Sequence, residues 1–278
     1  MSVKLVEFLH ARQITENIFR GESRDLGTPQ VYGGQVLGQA IHAAQMTVEG
    51  RSIHSAHAYF LRRGDFNQHI DYHVEISRDG GSFSARRVEA IQHGRPIFNL
   101  SASFHKAEDG LEYAERFLMP PGPNETKVLQ EELDNINQRS NILFDSAFVI
   151  RPVDISRDPK SPKIQFWLKT KEKLPDDEAT QRAVLAYISD FGLLASVTIP
   201  YDNVMRARVN QGKRKLSMAS IDHVIWFHRP FRMDNWHLFS TSPISTSGAR
   251  GLAQGRVFNK AGQLVASTTQ EGLLRQLG

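Results

Sequence analysis

The chain answers itself across its midpoint. Residues 54–63, HSAHAYFLRR, face residues 221–230, IDHVIWFHRP, and setting Phe60 on Phe227 brings Tyr59 onto Trp226 and Arg62 onto Arg229. In the same order, FSARR at 83–87 faces SGARG at 247–251, and HGRPIFNLSAS at 93–103 faces AGQLVASTTQE at 261–271. Upstream, VYGGQVLGQAI at 31–41 is laid on AYISDFGLLAS at 186–196. Any one of these pairs is within reach of chance, whereas four in series point to a duplication. A length of 278 residues allows one large domain or two modest ones. The repeat selects two of one type, residues 1–106 and 145–278, joined by a linker at 107–144. That linker carries the rigid turn PPGPN and a polar stretch, Thr126 to Ser140, that reads as a short surface helix.

Each half reads as one helix and several strands. In the first, Val36, Ala40, Ala43 and Ala44 recur at helical spacing, so Gly33 to Met46 is expected to be helical. HIDYHVEI at 69–76 alternates: Ile70, Tyr72, Val74 and Ile76 take one face and His69, Asp71, His73 and Glu75 the other. RDGG at 78–81 is a hairpin turn, SFSARRVEAIQ the returning strand and IFNLSASFH the next. The second half repeats this with IQFWLKTK, a helix from Asp177 to Leu194, and strands near 223–228, 236–242, 249–258 and 263–271. One helix serving an antiparallel sheet, made twice, is an α+β architecture.

Several kinds of chemistry are excluded. There is no cysteine, so no disulfide framework, thiol nucleophile or thiolate metal site. The phosphate-binding loop, the dinucleotide fingerprint, the serine elbow and the zinc-binding H-E-x-x-H are all absent. His69, Asp71, His73 and Glu75 share a face, but with the opposite face wholly apolar they read as the wet side of a sheet, and no metal is expected. The net charge of +4 is too small to argue for nucleic acid. No uninterrupted apolar run reaches membrane-spanning length, and the opening MSVKLVEFLHARQ lacks the apolar block of a signal. The expectation is a soluble, cytoplasmic protein.

Three polar residues of the second half stand out. Asp190 lies among Ile188, Phe191, Leu193 and Leu194, Ser220 precedes IDHVIWFHR, and Gln270 ends LVASTTQ on the face of Leu264, Ala266 and Thr268. A carboxylate in such company is paired, working, or on the wet stripe of an amphipathic helix.

The stretches YISDFGLL, ASIDHVIWFHRPF and VASTTQEG, with YGGQVLGQA, HSAHAYFLRRGD and GGSFSARRV in the first half, resemble the acyl-CoA thioesterase II family, from about residue 8 to 275. The resemblance implies a tandem (double) hotdog fold, each half an antiparallel sheet wrapped around a long helix. It implies hydrolysis of medium- to long-chain fatty acyl-CoA to free fatty acid and coenzyme A, without a cofactor. Carried over residue by residue, Asp190, Ser220 and Gln270 hold the water that attacks the thioester, serine standing where well-known bacterial members have threonine. Asp190 is then the general base or water-orienting acceptor, and Ser220 and Gln270 position the water. In the repeat alignment Gln35 falls opposite Asp190, His54 or Ser55 near Ser220, and Ala102 opposite Gln270. One site per chain is therefore expected, with Gly33, Gly34 and His57 as pocket wall. Arg62, Arg86, Arg229 and Arg250 are the candidates for the coenzyme A phosphates. Further association into a homo-dimer or homo-tetramer is expected. The competing readings are a hotdog enoyl-CoA hydratase or dehydratase, disfavoured because no histidine follows Asp190 within a turn or two of its helix, and a non-catalytic acyl-CoA-binding protein.

Overall fold

A computed structural model describes residues 4–28, 30–126, 147–156, 158, 161–201 and 216–276. A short helix, α1 (Leu5–Leu9), precedes the small strands β1 (Arg12–Thr15) and β2 (Ile18–Gly21). Helix α2 (Gly33–Gln45) leads into β3 (Ser52–Phe60), β4 (Ile70–Asp79), β5 (Phe83–Gln92) and β6 (Arg95–His105). After the connecting segment come β7 (Phe148–Ser156), β8 (Lys163–Thr170), helix α3 (Glu178–Ser189) and a 3₁₀ segment, Leu194–Tyr201. Strands β9 (Leu216–Ser220), β10 (Asp222–Phe227), β11 (His237–Ser247), β12 (Arg250–Asn259) and β13 (Leu264–Gln276) finish the chain.

All the strands join one antiparallel sheet, in the order β1-β2-β4-β5-β6-β3-β10-β13-β12-β11-β8-β7, with β9 paired to β13. That order is a palindrome, and the register repeats with it. Tyr72 pairs with Ala90 as Phe239 pairs with Val257, and Arg86 pairs with Ala102 as Ala253 pairs with Gln270. Phe19 lies opposite Tyr72 as Phe166 lies opposite Phe239. The halves meet where β3 pairs with β10, symmetrically about His57 opposite Val224. Even the irregularity recurs: β3 shifts register between Ile53 and Ser55, and the chain breaks between β9 and β10 at Ile221, the position matching His54.

Alternation sets the buried face. Ile70, Tyr72 and Val74 are buried and His73 and Glu75 exposed, as the sequence pattern predicts. Ile76 departs from it and is exposed, because β4 shifts register between Ile76 and Arg78 as it runs into the hairpin. Helices α2 and α3 pack on each other in antiparallel sense, Gly34 against Tyr187 and Gly38 against Ala183. Leu37 and Ile41 of α2 share one apolar cluster with Leu185 and Ile188 of α3, Leu100 of β6 and Ala266 of β13.

Two expectations change. Helix α3 stops at Ser189 rather than Leu194, because Gly192 takes a φ of +70°, a left-handed conformation that ends a helix. The helix alignment of the repeat also fails. Asp190 closes α3, whereas Gln35 belongs to the first turn of α2, so the two are not counterparts. Glu178–Tyr201 is long and apolar enough by composition to cross a membrane, but 67% of its apolar window is buried in the protein, as in a core helix, and its α-helical path ends at Ser189. The polar stretch Thr126 to Ser140 lies, beyond its first residue, outside the described residues.

Buried histidines make the fold sensitive to acid. His42 stacks on His10 at 4.3 Å, and burial lowers both His42 and His237 to about 4 from an ordinary 6.5. These groups stay neutral in the folded chain but bind protons once unfolded. Their stabilising effect is complete above 6.5 and is withdrawn as pH falls towards 4, at up to about 1.4 kcal/mol per pH unit for each. The urea midpoint is expected to fall steadily from about pH 7 to about pH 5. A level midpoint over that range would show that these histidines are not held neutral.

Candidate active site

Asp190 ends α3, and its position is electrostatically mixed. It sits at the negative end of its own helix dipole, but α2 begins beside it and presents a positive end. Its Oδ2 accepts the Gly34 N–H of that first turn at 3.0 Å. Its Oδ1 accepts Gln270 Nε2 at 2.5 Å, and the same nitrogen donates to Ser220 Oγ at 3.0 Å. Both amide hydrogens of Gln270 are thereby committed. The Ser220 oxygen accepts one of them, and its own O–H remains able to donate to a bound water or carbonyl. Gln270 Oε1 is buried without a partner among the described residues.

The strand break positions the serine. Ser220 ends β9 opposite Gly272, Asp222 starts β10, and Ile221 between them donates to the Glu271 carbonyl and accepts from Phe60 N. The Asp222 carboxylate, accepting Glu271 N–H at 2.6 Å, substitutes for a carbonyl in the interrupted ladder. Kinks of this kind re-aim a side chain without ending the sheet.

The Asp190 side chain is only 7% exposed, and among the described residues no lysine or arginine pairs with it. Burial, the largest influence, raises its carboxyl above the usual 3.8, against the opposing pull of the bonds from Gln270 and Gly34. A carboxylate held by two neutral donors and no cation is a better proton acceptor than an ordinary salt-bridged one. The walls are tight. A Cβ at Gly33 would lie 2.9 Å from Asp190 Oδ2 and from the Phe60 ring, so glycine is what lets α2 approach the carboxylate. Tyr32 donates to the Tyr187 carbonyl at 2.9 Å beneath them.

Of the residues singled out by sequence, Asp190, Ser220, Gln270, Gly33 and Gly34 meet here. His57 does not. It lies on the outer face of the sheet, its ring 5.4 Å from that of Trp226, because its neighbours Ala56 and Ala58 take the buried face. Arg86 is 3% exposed and is spent on Asp79, Thr47 and the carbonyls of Arg78 and Ala85, so it pins the β4–β5 hairpin and cannot meet a phosphate. Arg229 holds the Leu264 carbonyl and faces Glu112, and Arg250 pairs with Glu271. Arg62 is exposed, two residues beyond Phe60, with one bond to the Pro96 carbonyl. A separate cleft of about 740 Å³, lined by Lys169, Asp176, Asp177, Arg232, Asp234 and Trp236 among others, opens by the N-terminal end of α3, the far end from Asp190.

Sequence reasoning missed His223. Its Nδ1 lies 3.8 Å from Asp190 Oδ1 and its Nε2 3.0 Å from Ser189 Oγ. A histidine does therefore stand beside the carboxylate, brought by β10 rather than by the helix. The signal was available: in IDHVIWF, alternation puts His223 on the face of Ile225 and Phe227.

Fold and network together define a class, that of hotdog-type proteins with a buried polar network where the two helices meet the sheet. Residues 145–273 match the acyl-CoA thioesterase family and residues 22–105 match the acyl-CoA thioesterase N-terminal domain. Over 98% of its length the chain is 40% identical to acyl-CoA thioesterase 2 of Haemophilus influenzae, covering 96% of that protein. It is 33% identical to human acyl-coenzyme A thioesterase 8, over 99% of this chain and 89% of the relative. The crystal structure of acyl-CoA thioesterase II TesB2 from Mycobacterium marinum superposes with a TM-score of 0.81 at 36% identity, covering 98% of both chains. The chain belongs to the acyl-CoA thioesterase II family.

Proposed function

We propose that the chain hydrolyses fatty acyl-CoA thioesters by direct attack of a water held by Asp190, Ser220 and Gln270. The observation that carries this reading is the network itself: one buried carboxylate, bonded to Gly34 N–H and Gln270, with Ser220 on the same amide. Asp190 takes a proton from the water as its oxygen attacks the thioester carbonyl, and Ser220 O–H donates to the water or to the developing oxyanion. Collapse of the tetrahedral intermediate breaks the C–S bond and gives a carboxylic acid and the thiol of coenzyme A. Neither a thiol nor an activated serine is needed. His223 does not revive the dehydratase reading, since it is 0% exposed and so offers no surface for direct contact with a substrate β-carbon.

The reading extends to the whole chain. Two hotdog units, residues 1–106 and 145–278 joined by 107–144, account for the palindromic strand order and repeated register. One site per chain follows from what the first half offers in register: Ile53 for Ser220, Ala102 for Gln270, and Met46 closing α2 where Asp190 closes α3. The fully exposed Leu111 and the largely exposed Tyr113 and Leu118 suit burial between copies, in a dimer or tetramer. The cytoplasm is the proposed compartment, and medium to long acyl chains are the proposed substrates.

Release of free thiol from medium- and long-chain acyl-CoAs tests the activity, and silence at every chain length would overturn it. Arg62, exposed near the site, is assigned to the coenzyme A phosphates. Arg62→Ala is expected to raise KM several-fold, roughly the loss of one exposed charge contact, and to leave kcat unchanged. An unchanged KM would remove Arg62 from that role.

A further inference from the structure

His223 is the buried titratable group that the water-activating network leaves unused. It lies three residues after Ser220 on the buried face of β10 and has no exposed surface. With the Ser189 hydroxyl donating to the Ala186 carbonyl at 2.9 Å, its oxygen is left to accept from the imidazole, which assigns the ring hydrogen to Nε2. Nδ1 is then a bare lone pair. It is buried, has no partner among the described residues, and faces Asp190 Oδ1 at 3.8 Å.

Two acceptors confronting each other in a buried site repel. A proton on the carboxyl turns the same contact into an O–H···N hydrogen bond, reached by a closure of about 1 Å. The arrangement is thus matched to the acid form of Asp190, which above the acid limb of activity forms when a proton is taken from the attacking water. Symmetry supports a role tied to the site. His223 pairs with Ala58 and Ile225 with Ala56, so the pseudo-twofold places Ala56 where the second half has His223. The half that lacks the polar trio lacks the histidine too.

We propose that His223 is a positioning residue whose Nδ1 captures, through Asp190, the proton released by the attacking water. The inference rests on Asp190 as general base. The water O–H bond breaks as its oxygen bonds to the thioester carbon, and the proton passes to Asp190 Oδ1 and is held there by Nδ1. When the C–S bond breaks, the proton leaves with the thiolate sulfur, restoring the carboxylate and a neutral imidazole. Burial keeps that imidazole neutral, lowering it to about 3, so it acts as an acceptor and not as a competing acid. The other titratable groups packed here do not compensate. Tyr32, whose phenol burial holds well above its ordinary range, and Tyr187 pack from the helix pair, and Asp222 alternates to the other face of β10, bonded to Glu271 N–H.

Two substitutions separate the nitrogens. His223→Gln keeps a donor for Ser189 and removes the acceptor facing Asp190, whereas His223→Asn keeps an oxygen near the place of Nδ1. His223→Gln is expected to lower kcat about 100-fold with KM little changed, and to move the acid limb of the pH–rate profile down by about one unit, because the acid form of Asp190 loses its acceptor. His223→Asn should retain kcat within several-fold and keep the acid limb in place. Wild-type kcat and acid limb in His223→Gln, or the same loss in both variants, would overturn the proposal. Nitrogen-15 NMR of the unmodified protein gives a test independent of folding and activity: the Nε2–H neutral tautomer is expected, and a hydrogen on Nδ1 would refute it. Full turnover in Asp190→Asn would instead remove the general base itself, so the two failures are distinguishable.

Discussion

Asp190→Asn is expected to reduce acyl-CoA hydrolysis by about 10²- to 10⁴-fold, the usual contribution of a general base, while the protein melts at the same temperature or higher. The two halves of that expectation have one cause. In the native chain a charge sits at a site only 7% exposed, with two neutral donors and no cation among the described residues. Burying it costs stability, and the cost appears as a carboxyl raised above its ordinary range. Asparagine has nearly the same shape and no charge. It keeps an oxygen for the Gly34 N–H, and its amide meets Gln270 Oε1 if that side chain turns over. What it cannot do is take a proton. A loss of activity with a lowered melting temperature would point to structural damage, and unchanged turnover would displace Asp190. Gln35→Ala is the control from the other helix. Its amide donates to the Glu22 carbonyl at 3.2 Å, away from Asp190, Ser220 and Gln270, so turnover should stay within a few-fold of wild type.

The strands and their pairing were legible because β structure writes itself locally. Alternation across 69–76 and glycine turns at 80–81 and 262 marked the hairpins, and the spacing between Phe60 and Phe227 proved to be the register offset of the strands up to β5 and β12. The one extra residue in the 260–262 turn then sets Ala102 in register with Gln270. The helices were misaligned for a physical reason. A repeat constrains which helix face is apolar, and small residues such as Gly34 and Ala186 satisfy that in several registers. Only the end signal at Gly192 fixes the frame, and it was read as helix interior. Arg86 and His223 failed from opposite sides. Arg86 alternates onto the buried face of β5, where a surface role is impossible. His223 was missed because histidines were sought only along the Asp190 helix, whereas the carboxylate's neighbours come from β10, β13 and the start of α2. Sequence distance along one element says little about a site assembled from five.

Gly34→Ala is expected to damage fold and activity together, and activity more. A Cβ at this position would overlap the Tyr187 carbonyl oxygen and stand 2.6 Å from the Tyr32 ring, in a first helical turn that has no slack. Relief requires α2 to move off α3, since a backbone oxygen cannot rotate away as a side chain end can. Overpacking of this kind costs about 1–3 kcal/mol. The same displacement draws the Gly34 N–H away from Asp190 Oδ2, and with it the positive end of α2 that offsets the unfavourable end of α3. Misplacement of a catalytic carboxylate by about 1 Å is worth up to about 100-fold in rate, so turnover should fall far more than the population of folded protein explains. Gly81→Ala, where an added Cβ meets nothing within 4 Å, is the matched control and should change neither quantity. Melting curves and thiol release on the two variants give the answer. A Gly34→Ala protein with native stability and full turnover would mean that α2 and α3 do not meet at this closest point, and that the carboxylate is held by something other than the helix that starts beside it.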